Sequence, residues 1–115
     1  MRVLVAEKIA DSGLEDLRQA GYEVDIQEGL SNEELCKAIK GAHALIIRSA
    51  TTVTKEVLSH ADALIAIGRA GIGVDNIDIQ AATNAGVMVI NAPQSNIISA
   101  AEHAIALMLS LARHI

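Results

Sequence analysis

Apolar residues along the chain fall into short, nearly unbroken runs rich in Val and Ile, separated by longer stretches of helical period. The runs are 3–6, 22–26, 44–47, 64–67 and 87–90. Runs of this kind read as strands buried on both faces of a parallel sheet. The stretches between them carry start and stop signals. Asp11 or Ser12 opens a helix through Leu14 and Leu17 that ends at Gly21. Ser31-Asn32-Glu33-Glu34 is a capping box, and its helix ends at Gly41. Thr54 opens a helix containing Val57 and Leu58, and Asp75 or Asp78 opens one through Ile79 and Ala82 that ends at Gly86. Ser99-Ala100-Ala101-Glu102 is a second capping box, opening a last helix over about 97–115.

Strands alternating with helices predict the α/β class: a doubly wound, five-stranded parallel sheet in the order 2-1-3-4-5, in three αβα layers. Residues 1–115 form one domain, with no linker, low-complexity stretch or solenoid repeat. Ligands of such sheets bind at the carboxyl ends of the strands. The segments there are Glu7-Lys8, Arg48-Ser49-Ala50-Thr51, 68–76 and 91–96. Strands 1, 3 and 4 are neighbours in this order, so their loops converge.

The loop GRAGIGVDN at 68–76 starts like a dinucleotide fingerprint but fails it twice. Counted from Gly71 the third small residue is replaced by Asn76, and the next strand ends in Asn91 where an acid is needed for the ribose hydroxyls. Two readings remain. One is a tight turn leading into a helix capped by Asp75. The other is an anion nest, in which backbone N–H groups from Gly71 to Val74 point at a carboxylate or phosphate. Arg48 suits the second. It follows an apolar strand, and its planar fork matches a carboxylate or phosphate bidentately. No acid lies between Lys40 and Thr54 to pair with it, while Ser49 and Thr51 add hydroxyl donors. Arg69 serves the same ligand or a second surface.

Charge refines this picture. The net charge of −5 excludes nucleic acid and an anionic membrane surface as partners. Nine of the fourteen acids fall within residues 1–34, which leaves the middle of the chain able to hold a local anion site. Other chemistry is sparse. His43, His60, His103 and His114 lack metal-ligand spacing, so no metal is expected. Glu102 and His103 lie side by side, but Glu102 is already the capping-box acid. The serines lack a nucleophile elbow, and no Cys–His arrangement offers a nucleophile. A flavin domain needs aromatic rings to stack, and Tyr22 is the one aromatic residue. A phosphoacceptor domain needs a carboxylate at the end of strand 3, where Arg48-Ser49 stands. Cys36 is alone, in a helical pattern between Leu35 and Ile39, and reads as a buried thiol of a cytoplasmic protein. No export signal opens the chain.

Residues 104–112 contain no charge and are apolar on every side. A helix of this kind is buried all round, and it is too short to span a bilayer. It asks for a partner, either another domain or a second copy. The halt at Ile115, directly after Arg113-His114, has the look of a cut.

Taken together, IIRSATTVTKEVL, IGRAGIGVDNIDIQAATNAGVMVINAPQSN and SAAEHAIALMLSLAR resemble the D-isomer-specific 2-hydroxyacid dehydrogenases. Within that family they resemble the phosphoglycerate dehydrogenases rather than relatives acting on unphosphorylated acids. The resemblance covers essentially the whole chain. It implies an NAD-dependent oxidoreductase of serine biosynthesis, acting on 3-phosphoglycerate, and this chain matches its flavodoxin-like substrate-binding domain. It implies substrate-binding roles for Arg48, Ser49, the loop residues Gly71, Ile72 and Gly73, and Asn96. The last helix would lead into a separate Rossmann domain, which supplies the NAD site and every catalytic residue. The expectation for this chain alone is a weak anion site, no bound cofactor and no catalysis. The rival expectation is a structural, self-associating module without a ligand.

Overall fold

Four segments whose apolar residues recur at helical spacing pack against five strands. The computed structural model describes residues 1–9, 11–70 and 75–92. In chain order the elements are β1 (Arg2–Val5), α1 (Asp11–Gln19), β2 (Glu23–Ile26), α2 (Asn32–Ala38), β3 (Ala44–Ile47), α3 (Lys55–Ser59), β4 (Ala66–Ala70), α4 (Ile79–Asn84) and β5 (Met88–Ala92). All strand pairs are parallel, and the order is β2-β1-β3-β4-β5, as the alternation of strand and helix predicts. The last helix expected from the sequence lies outside the described residues.

Side-chain alternation divides the core between the two faces of the sheet. Leu4, Leu45, Ile47 and Ile67 point to one face, where they meet Leu35, Cys36 and Ile39 of the α2 region, Val57 and Leu58 of α3, and Ala82 of α4. Val3, Val5, Ala44 and Ile46 point to the other face and meet Leu14 and Leu17 of α1. Every residue of β3 is buried, as a central parallel strand requires.

Two sequence expectations need correction. The edge strand β2 is not buried on both faces: Glu23 and Ile26 are exposed, because a strand with one neighbour is covered less completely than a central one. The fourth strand also lies further along the chain than the apolar run 64–67. It begins at Ala66 and continues through Gly68, Arg69 and Ala70. Gly68 pairs with Ile46 and Ile90, and Arg69 with Ile47 and Asn91. A strand with a partner on each side is held by its ladders, and these override the turn preference of glycine.

The helix starts follow the sequence signals. The Ser31 hydroxyl accepts from the Glu34 N–H at 3.2 Å, and the Glu34 carboxylate accepts from the Ser31 N–H at 3.0 Å. Thr54 caps α3 through the Val57 N–H, and Asp78, rather than Asp75, caps α4 through the Ala81 N–H. Past the end of α2 the chain turns through Gly41 at φ +76°, a conformation that favours glycine. Its N–H donates to Asp62 at 2.7 Å, which lowers the Asp62 pKa.

Candidate functional site at the carboxyl edge of the sheet

Three of the strand-end segments named by the sequence do converge. At the end of β1, the Glu7 carboxylate reaches across to the loop after β3. It accepts from the backbone N–H groups of Arg48, of Ala50 at 3.0 Å and of Thr51 at 3.1 Å. These donors form a nest, and the chain's own carboxylate occupies it. The loop is thereby held from the β1 side.

Asn76 holds the same loop from the other side. Its amide donates to the carbonyls of Arg48 at 2.8 Å and Thr51 at 2.6 Å. Its own side-chain carbonyl accepts from the Arg69 Nε–H. Backbone bonds extend this clasp: Val53 N–H donates to the Asn76 carbonyl at 2.8 Å, and Asp78 N–H to the Val53 carbonyl at 2.9 Å. The residue that spoils the dinucleotide fingerprint is thus the joint between the β3 and β4 ends.

The two arginines emerge from adjacent strands. Arg69 is 7% exposed, and its Nη1 is buried without a hydrogen-bond partner among the described residues. Its Nη2 lies 3.9 Å from the carboxylate of the exposed Asp75. Arg48 is half-buried, and its Nη1 lies 3.4 Å from the Lys8 carbonyl. Among the described residues its guanidinium has no carboxylate partner. Ser49 beside it is exposed. Among the described residues the edge therefore carries two guanidinium groups with donor capacity to spare, Arg48 on the loop held by Glu7 and Asn76 and Arg69 in β4 beside it. A buried cation of this kind is stabilised by an anion that accepts from it. Gly71, Ile72, Gly73 and Asn96 lie outside the described residues, so only Arg48 and Ser49 of the expected set are located.

Sequence reasoning noted Glu7 as a strand-end residue but missed its part in the site, and missed that of Asn76 altogether. Their partners stand 41 and 28 residues away, and no local spacing marks such pairs. The larger groove, of about 390 Å³ between α3 and α4, is lined by Lys55, Leu58, Asp78 and Ala81 among others, and neither arginine lines it.

Comparison with known proteins shows the family and supports the fold. The sequence profile described as "D-isomer specific 2-hydroxyacid dehydrogenase, catalytic domain" matches residues 3–111. The chain belongs to that family. Among the 2-hydroxyacid dehydrogenase relatives, a D-3-phosphoglycerate dehydrogenase of Archaeoglobus fulgidus is 52% identical over 115 residues, which is 100% of this chain and 22% of that protein. Among solved structures, a protein of Pyrococcus horikoshii superposes with a TM-score of 0.76 at 34% identity, covering 79% of this chain and 27% of that one. An NAD+-bound 3-phosphoglycerate dehydrogenase of Entamoeba histolytica superposes with a TM-score of 0.73 at 31% identity, covering 81% and 33%. The chain thus spans about a fifth of the length of its curated relative. No helix among the described residues is long and apolar enough to cross a membrane.

Proposed function

We propose that the chain is the substrate-binding portion of an NAD-dependent D-3-phosphoglycerate dehydrogenase of serine biosynthesis. Its carboxyl edge receives the anionic groups of 3-phosphoglycerate. The observation that carries this reading is the spare donor capacity, among the described residues, of Arg48 on a loop fixed by Glu7 and Asn76 and of Arg69 in the adjacent β4. The Arg48 fork binds one anionic group bidentately, and the Ser49 hydroxyl donates to it. Backbone N–H groups of Gly71, Ile72 and Gly73 take the substrate carboxylate, and Asn96 completes the site. A cytoplasmic, reducing setting suits the free thiol of Cys36.

The residues present do not fit NAD. Asn76, where the fingerprint needs its third small residue, is committed to Arg69 and to the loop after β3, and β5 ends in Asn91-Ala92 where the ribose requires an acid. Hydride transfer therefore belongs to a Rossmann domain, to which the apolar segment 104–112 leads, and the chain alone is catalytically silent. With one wall of a cleft, affinity is about millimolar.

An amide NMR titration with 3-phosphoglycerate, with sulfate as control, tests the proposal. Saturable shifts at 48–51, 71–74 and Asn96, stronger than with sulfate and at least about tenfold weaker in Arg48→Met, are expected. Shifts equal to sulfate overturn specific binding. Without such shifts, a mass that rises with concentration favours the self-associating module instead. NADH production from 3-phosphoglycerate and NAD by the pure chain overturns the catalytic silence.

A further inference from the structure

On the face of the sheet covered by α2, α3 and α4, α2 and α3 bring together a thiol, an imidazole and a carboxylate. Glu56 and His60 are four residues apart at the two ends of α3, which sets them on one side of that helix. Cys36, in the last turn of α2, faces them. Their ligating atoms all lie within 4.8 Å of one another. We infer that Cys36, Glu56 and His60 form a binding site for one thiophilic divalent cation of the zinc type.

The donor set and its distances fit such an ion. Zinc bonds of about 2.0–2.3 Å place tetrahedral ligand atoms roughly 3.3–3.8 Å apart. Closing the present spacing therefore needs about 1–1.5 Å of adjustment at most. Sulfur and nitrogen donors select zinc, cobalt or cadmium over magnesium or calcium. Three protein ligands leave a fourth position, and a cavity of about 260 Å³, lined also by Glu33, Lys37 and Lys40, opens there to water. The Asn32 amide donates to Glu56 Oε2 at 3.1 Å, the kind of outer contact that orients a ligating carboxylate. The histidine spacings in the sequence give no hint of this site, because its soft ligand comes from a different helix.

Binding has a proton signature. Burial, with help from the Glu56 and Glu33 carboxylates and against Lys40, raises the Cys36 pKa. The titratable groups lining the cavity beside Cys36 are Glu33, Lys37 and Lys40 from the α2 side, and Glu56 and His60 from the α3 side. The cation forms a bond to sulfur as the S–H proton leaves to solvent, so affinity rises with pH.

The test is titration of the 115-residue chain with Co2+ and with Zn2+. The expected result is one ion per chain, a thiolate-to-cobalt charge-transfer band, and protection of Cys36 from alkylation by Zn2+. Cys36→Ser abolishes the band, and His60→Gln, on the protein surface, weakens binding at least tenfold while the circular dichroism spectrum is unchanged. Co2+ binding without a sulfur band overturns the site. So does Zn2+ that leaves Cys36 open to alkylation, or His60→Gln that binds as tightly as the parent. The alkylation and His60→Gln results decide the matter even if Cys36→Ser does not fold.

Discussion

Arginines stand at both edges of the sheet, and they are employed differently. At the amino edge, each nitrogen of the Arg2 guanidinium has a partner. Its Nε and Nη2 meet the Asp25 carboxylate at 3.3 and 3.2 Å, its Nη1 donates to the Lys40 carbonyl at 2.8 Å, and its Nη2 donates to the Ala38 carbonyl. These carbonyls end α2, where a cation also offsets the helix dipole. At the carboxyl edge, Arg48 makes one long bond to a carbonyl, and Arg69 keeps a buried Nη1 without a partner among the described residues. The same side chain is a structural clasp where every nitrogen has a protein partner, and on the proposed reading a ligand group where, among the described residues, some have none. Burial alone does not separate the two cases, since Arg69 is the more buried. Donor accounting does.

The largest expected effect falls on the joint that holds the carboxyl edge. Asn76→Ala removes two donated bonds and one accepted bond, and leaves the Arg69 Nε–H without its acceptor. Orphaning half-buried groups in this way costs about 3 kcal/mol, read from the urea midpoint. The 3-phosphoglycerate shifts should be lost with it. A stable Asn76→Ala chain that still gives the parental shifts would show that the loop needs no joint. Arg2→Met comes next. The pair with Asp25 is partly exposed, at 21% and 32%, which discounts its ionic contribution. With the two carbonyl bonds the cost is about 1.5 kcal/mol. Ligand shifts should be unchanged, because this arginine serves the fold. If Arg2→Met altered them, the distinction between the two edges would fail.

The legibility of the chain follows the same division. Strand order, the capping box at Ser31 and the cap at Thr54 could be read directly, whereas the sequence narrows the start of α4 only to Asp75 or Asp78. The place of Arg48 directly after β3, with no acid nearby in the sequence, could be read as well. The extension of β4 through Gly68 could not. It depends on ladders to β3 and β5, and the local preference of glycine argued the other way. Glu7 in its nest and the Asn76 joint were equally hidden, as was the meeting of Cys36 with Glu56 and His60. Each is a contact between elements, and only the packed sheet brings its members together.

The smallest effect sharpens the accounting with a carboxylate. The Ser31 N–H and hydroxyl hold the Glu34 pKa below its ordinary value, with Lys37 helping and desolvation opposing. A carboxyl lowered in the folded state stabilises the fold fully above its unfolded value of about 4.3. That contribution is lost as pH falls through the lowered folded value. Glu34→Gln isolates the charge, because glutamine keeps the reach to the Ser31 N–H that a capping box requires. Parent and variant should therefore differ in urea midpoint at pH 7 and converge at acid pH. A difference that persists at acid pH would mean that the shape of the side chain, not its charge, holds the start of α2. The same reasoning applies to Asp62→Asn at the amino edge, where the Gly41 N–H lowers the Asp62 pKa. The donor there is a backbone group that cannot be redirected to a ligand, so neither variant should move the 3-phosphoglycerate shifts.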